Sequence, residues 1–140
     1  MIKKITTSAF LSFTVGCAFS MALAQGEARA QAMSPMRGEV RSFTDSFALK
    51  VYPANPYEHR IRIEVRVYDQ DFRPVTALVS PNVFTLGGRF ARPVTVIVPF
   101  EGQKFRKVRV CTEAVPFPGA RNKTTIKAQV CGKFIGERVG

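Results

Sequence analysis

Tryptophan is absent from the 140 residues, histidine occurs once and cysteine three times. Each scarcity removes a class of chemistry. Nucleophilic or hydrolytic catalysis rests on a base within reach of a nucleophile, and the one histidine, His59, stands in the lead-in to a strand without obvious partners. Structural zinc sites draw on closely spaced pairs of His and Cys; one histidine and distant cysteines supply none, so no metal is expected. The chain also lacks a G-x-S-x-G elbow, a phosphate-cradling glycine loop and a dinucleotide fingerprint, and no cofactor is expected. The "LGGR" of Leu86 to Arg89 reads as a turn. Acidic residues are few, 10 against 21 Lys and Arg. The pairs Asp69/Asp71 and Glu101/Glu113 fit solvated turns and strand ends better than two carboxylates flanking a cleft. An enzyme is therefore not expected.

What the chain does have begins at its N-terminus, "MIKKITTSAFLSFTVGCAFSMALAQGEARAQA". Two lysines precede an apolar run, and small residues follow at alternate positions, which is the layout of a secretory signal peptide. Residues 1–30 are expected to be this leader, cleaved after Ala24 or after Ala30, with a single domain over 31–140. Thr7, Ser8, Ser12, Thr14 and Ser20 dilute the apolar run and weigh against a retained membrane anchor. The "TVGC" ending at Cys17 loosely resembles a lipoprotein signal, but Thr14 stands where an aliphatic residue is usual, and a lipid anchor is disfavoured. The expected location is the bacterial periplasm or the exterior, with no transmembrane segment once the leader is gone. The leader carries Lys3, Lys4, Arg29 and Glu27, net +2, so +9 of the total +11 stays on the domain. Such a charge draws a protein to polyanions.

The clearest periodic segment is "RIRIEVRVYD", Arg60 to Asp69, in which Ile61, Ile63, Val65 and Val67 alternate with charged residues and Tyr68. A period of two means one buried and one wet face. "PVTVIV" from Pro93 is almost wholly β-branched after its proline, as strands are. Weaker strand signals lie in "MRGEVRSF" from Met36, "SFALKVYP" from Ser46, "VFTL" from Val83, "KFRKVRVCTE" from Lys104 and "TTIKAQVCGKF" from Thr124. Turn residues separate them, and no segment past the leader has a helical period. About seven short strands at this spacing predict an all-β fold, an immunoglobulin-like antiparallel β-sandwich, with a small barrel as the alternative.

Cys111 and Cys131 are the only cysteines outside the leader, and an exported protein is oxidised. By alternation both fall on the polar face of their strands. Antiparallel pairing of those strands would bring the thiols together across the ladder. A staple is therefore expected over a redox couple, for which Arg109 and Lys133, each two positions from a cysteine on its own face, would be the pKa-lowering groups. Phe117, Arg121 and Lys123 lie in the loop that such a staple would hold.

From Arg60 onward the order "RIRIEVRVYD", "DQDFRPV", "ALVSPNVFTLGGRFARPVTVIV", "KVRVCTEAVPF", "TTIKAQVCGKFIGERV" resembles the first domain of the periplasmic usher-pathway pilus-assembly chaperones. One branch of that family joins the last two strands by a disulfide, which Cys111 and Cys131 match. The resemblance implies a protein client or subunit as partner, docked on a sheet edge. It also implies a basic pair for the client's C-terminal carboxylate, Lys133 with Arg37 or Arg41. In the family the last strand lends apolar side chains to an incomplete client domain, whereas the outward row here reads Lys127, Gln129, Cys131, Lys133. With one domain after the leader, the two-domain cleft of those chaperones is not expected.

The leading expectation is a non-enzymatic exported binding module, a chaperone-like or accessory factor for surface-structure assembly. The alternative is a basic domain that binds an anionic glycan or lipopolysaccharide through Arg60, Arg62 and Arg66. Specific nucleic acid binding is not expected, because the wet positions are charged rather than aromatic.

Overall fold

The computed structural model describes residues 32–119 and 128–140. The leader, Arg121 and Lys123 lie outside the described residues. Nine strands fill the described chain: β1 (Ala32–Ser34), β2 (Arg37–Ser42), β3 (Ser46–Ala54), β4 (Ile61–Tyr68), β5 (Leu78–Ser80), β6 (Val83–Leu86), β7 (Val94–Pro99), β8 (Phe105–Val115) and β9 (Gln129–Arg138). They form two sheets, β1-β3-β7-β5 and β2-β9-β8-β4-β6. The architecture is the expected all-β, immunoglobulin-like sandwich. No described helix is long and apolar enough to cross a membrane.

The alternation read in the sequence sets the core. In β4, Ile61, Ile63, Val65 and Val67 are all buried, and in β7, Val94, Val96 and Val98 lose all exposure. They meet Phe47, Leu49 and Val51 of β3, Val108 and Val110 of β8 and Phe134 of β9 across the space between the sheets. A side chain of this size buried from water stabilises the fold by about 1.5–3 kcal/mol against the ordering entropy it must offset. Gly136 is part of the same fit. A Cβ there would stand 2.4 Å from two ring atoms of Phe47, so β9 lies against the Phe47 ring only because this position has no side chain.

Two strands, β1 and β5, have no counterpart in the sequence reading. Each is three residues long and too short to show a period. The first strand is also more than it looked: β1 pairs with β3 in one sheet, and β2 then crosses to pair with β9 in the other. The β2–β9 pair is parallel, the one parallel ladder among the described residues of an otherwise antiparallel sandwich. The last strand extends four residues past Phe134, to Arg138, because β2 supplies it with a partner there. The four residues Thr124 to Lys127, read as its start, lie outside the described residues.

The loop between β3 and β4 is organised by a buried amide. Asn55 is 2 % exposed. Its Nδ2 donates to the carbonyls of His59 and Gly87 at 2.8 and 3.0 Å, and its Oδ1 accepts from Tyr57 N at 2.9 Å. His59 belongs to this loop, stacked with Tyr57. Among the described residues no three of His, Cys, Asp and Glu gather closely enough to hold a metal ion.

Candidate functional site

Cys111 and Cys131 form a disulfide, and they are register partners in the β8–β9 ladder. Both sit on the outer face of the five-stranded sheet, as the alternation predicts. Cys111 is nevertheless 1 % exposed, covered by its neighbours rather than wet. Their Cα atoms are 4.0 Å apart, the close approach of a non-hydrogen-bonded antiparallel pair. At such a pair the backbone N–H and C=O of each residue point away from the shared ladder. Cys131 therefore aims its peptide groups away from β8, and so do Gln129 and Lys133, which share its parity.

On that far side β9 is only partly covered. The parallel partner β2 begins at Arg37, opposite Lys133, and Lys133 N donates to Met36 O at 2.9 Å. From Gln129 to Gly132 the strand has β8 on one side and, among the described residues, no hydrogen-bonded strand on the other, although β1 packs nearby. Gly132 helps keep this stretch close to the N-terminal segment. A Cβ on it would come within 2.9 Å of Met33 Cε and 3.1 Å of Met36 O. The result is a short open edge that carries Cys131 of the disulfide and ends where β2 takes over.

Charge collects at that junction. Parallel register places Arg37 directly beside Lys133, and antiparallel register places Arg109 on the other flank of Lys133. Arg37 and Lys133 are both exposed. Of the two arginines that sequence reasoning left open, Arg37 is thus the neighbour of Lys133. Arg41 is four residues further along and is held by Glu137, Nε to Oε2 at 2.9 Å. Arg109 was visible in the sequence only as a neighbour of Cys111; its place in the row follows from cross-strand register, which no single strand reveals.

The other sequence candidates are elsewhere. Arg62 and Arg66 share the outer face of β4 with Glu64, while Arg60 precedes the strand. Arg66 Nη2 lies 2.9 Å from Glu64 Oε1. The hydrogen bond to Glu64, and a second to Tyr68, hold the guanidinium above its usual pKa. Arg62 Nη1 donates to Pro116 O at 3.3 Å. The face is therefore an alternation of cations with Glu64 and Glu113 rather than a continuous arginine stripe. Phe117, 38 % exposed, stands just past β8 and away from the Arg37–Lys133 pair.

No protein-family model and no curated protein matches the sequence. Solved structures do match, at the level of fold. The Salmonella enterica SafA pilin in complex with the SafB chaperone matches with TM-score 0.61 and 23% identity, over 78% of this chain and 54% of that one. The E. coli chaperone DraB matches with TM-score 0.63 and 16% identity, over 78% of this chain and 55% of that one. A chaperone-tip adhesion subunit complex, CsuC–CsuE, from Acinetobacter baumannii matches with TM-score 0.58 and 13% identity, over 80% and 53%. The chain spans about half the length of these matched chains. The sandwich is not confined to them, since SSP-19, an MSP-domain-like protein of Caenorhabditis elegans, matches with TM-score 0.54 and 8% identity, over 75% of this chain and 97% of that one. The fold is that of the periplasmic pilus chaperones to which the strand order pointed.

Proposed function

We propose that this protein is a periplasmic, non-enzymatic, chaperone-like factor that binds a polypeptide subunit during assembly of a surface structure. The observation that carries the reading is the open stretch of β9, Gln129–Gly132, whose outward peptide groups end against Arg37 and Lys133. A free sheet edge is a template for one more strand, and main-chain hydrogen bonds give such an addition its affinity. The cationic pair stands where an added strand runs out of edge, well placed for a carboxylate. The fold shared with pilus chaperones supports the same partner class and the same compartment. Binding of a polyanion through Arg60, Arg62 and Arg66 has less behind it, since Glu64 neutralises Arg66 and Arg62 is turned onto the Pro116 carbonyl.

A single substitution tests the edge. Gln129 aims its N–H outward, so Gln129→Pro removes a donor from the open side and none from the β8 ladder. The wild-type protein, tagged and recovered from intact periplasm, is expected to bring down a pilin-type subunit, and Gln129→Pro is expected to lose it at unchanged melting temperature. Equal recovery by a stable Gln129→Pro variant would show that the partner does not add to this edge.

A further inference from the structure

Beside the junction of β2 and β9 the outer face carries a groove of about 230 Å³, lined among others by Gln70, Lys107, Arg109, Lys133 and Ile135. Register makes its plan simple. Lys133 and Arg109 face each other in one row of the ladder, and Ile135 and Lys107 face each other in the next. Three cations thus surround one aliphatic side chain. Their carboxylate neighbours are largely engaged: Glu137 by Arg41, and Asp69 Oδ1 by the N–H groups of Asp71 and Arg73 at 2.8 and 2.9 Å. Glu39 stands on the far flank of Ile135, and no described ion pair joins it to these cations.

One of the cations is held in place at a cost. Phe72, in the turn after β4, has φ 58, a left-handed conformation that strains a residue with a Cβ by about 1 kcal/mol or more. It leaves the ring half exposed and lays it across Arg109, whose Cζ sits 4.5 Å from the ring centre. Tyr68 backs the ring at 6.2 Å. Stacking occupies the flat face of the guanidinium and leaves its edge to a planar acceptor in the same plane, the geometry that suits a carboxylate. Arg109 Nε is buried with no hydrogen-bond partner among the described residues. A strained turn and a stacked guanidinium thus meet at the groove, with the unpartnered Nε buried behind them.

We propose that this groove is a second docking point, which takes a carboxylate side chain from an acidic segment of the partner polypeptide. The inference rests on the reading that the partner adds to the β9 edge. A chain paired along Gln129–Gly132 meets β2 at Lys133 and has to leave the sheet there. Passing over the outer face, it crosses Lys133 and Arg109 and arrives at Ile135. An acidic residue flanked by aliphatic ones matches cations around an apolar floor, where a heavily hydrated sulfate or phosphate would leave Ile135 unused.

The test is anisotropy on the full mature protein at low salt, with a labelled nine-residue peptide of alternating Val and Glu and a Val/Gln counterpart as probes. The Glu peptide is expected to bind about tenfold more tightly, one charge-assisted contact being worth about that factor. The Lys107→Gln/Arg109→Gln double variant is expected to lose that preference. Phe72→Gly, which relaxes the turn and removes the ring, is expected to weaken binding severalfold without lowering the melting temperature. Equal affinity for the two peptides, or an unaltered preference in the folded double variant, overturns the proposal. So does binding of heparin or lipopolysaccharide that depends on Lys107 and Arg109 when the Glu peptide does not bind. Gln129→Pro touches only the edge and is expected to keep the peptide affinity, so failure of the edge and failure of the groove are told apart.

Discussion

Cutting the Cys111–Cys131 bond is expected to loosen the open edge before anything else. The bond closes a loop of 20 positions, for which chain entropy alone assigns about 3 kcal/mol at 25 °C. Replacing both cysteines by alanine also removes a sulfur from the buried Cys111 site, which adds up to about 1 kcal/mol. For a domain of this size the sum lowers the melting temperature by about 15 °C. The loss should not be spread evenly. Lys133–Glu137 is paired with both β2 and β8, whereas Gln129–Gly132 is paired with β8 alone, and the disulfide pins that ladder at its thinner end. Amide hydrogen exchange on Cys111→Ala/Cys131→Ala is therefore expected to speed up at Val130 and Gly132, the amides directed at β8, more than at Phe134 and Gly136. Differential scanning calorimetry gives the global term. A midpoint shift below about 5 °C, or uniform exchange along β9, would refute the view that the bond holds the edge. Two free thiols in native exported protein under denaturing, non-reducing conditions would refute it more directly.

Two packing predictions and one electrostatic one follow from the same face and core. Gly136→Ala sets a methyl 2.4 Å from ring atoms of Phe47, itself 2 % exposed, and should cost about 1–3 kcal/mol in urea unfolding. Thr112 has no exposure and its Oγ1 has no hydrogen-bond partner among the described residues; Thr112→Val should raise stability by about 1 kcal/mol, read as a higher denaturation midpoint. Arg37→Gln with Lys133→Gln should weaken recovery of the subunit and flatten its salt dependence, and unchanged recovery across salt would remove these side chains from the site.

The core was legible because alternation in β4 and the β-branched run of β7 are local signals, and each strand's buried face follows from its own residues. The disulfide was legible for a similar reason: the parity that puts both cysteines on one face is read one strand at a time. The site was legible only in part. Lys133 could be named as a candidate from its strand alone, but which of Arg37 and Arg41 stands beside it depends on the register of a parallel pair that joins the two ends of the domain, and nothing local encodes it. The place of Arg109 beside Lys133 was hidden for the same reason, and Phe72 because a left-handed phenylalanine leaves no mark in composition. The arginines of β4 looked like a patch in one dimension; across the sheet, Glu64 and Glu113 break it up.

The parallel pairing of β2 with β9 also bears on when the domain becomes whole. Arg41 and Glu137, bonded to each other in that ladder, are 96 positions apart. Closing so long a separation comes late for a chain that gains little from the loop before the contact forms. A polypeptide delivered from its N-terminus carries β2 without a neighbour on its own sheet until nearly the last residue of β9 has arrived. Completion is thus a late event that seats β2 and covers Lys133–Arg138, while Gln129–Gly132, which β2 does not reach, is open as soon as β9 pairs with β8. Until β2 is seated the open side of β9 runs on to Arg138, so an unfinished domain exposes a longer edge than the finished one.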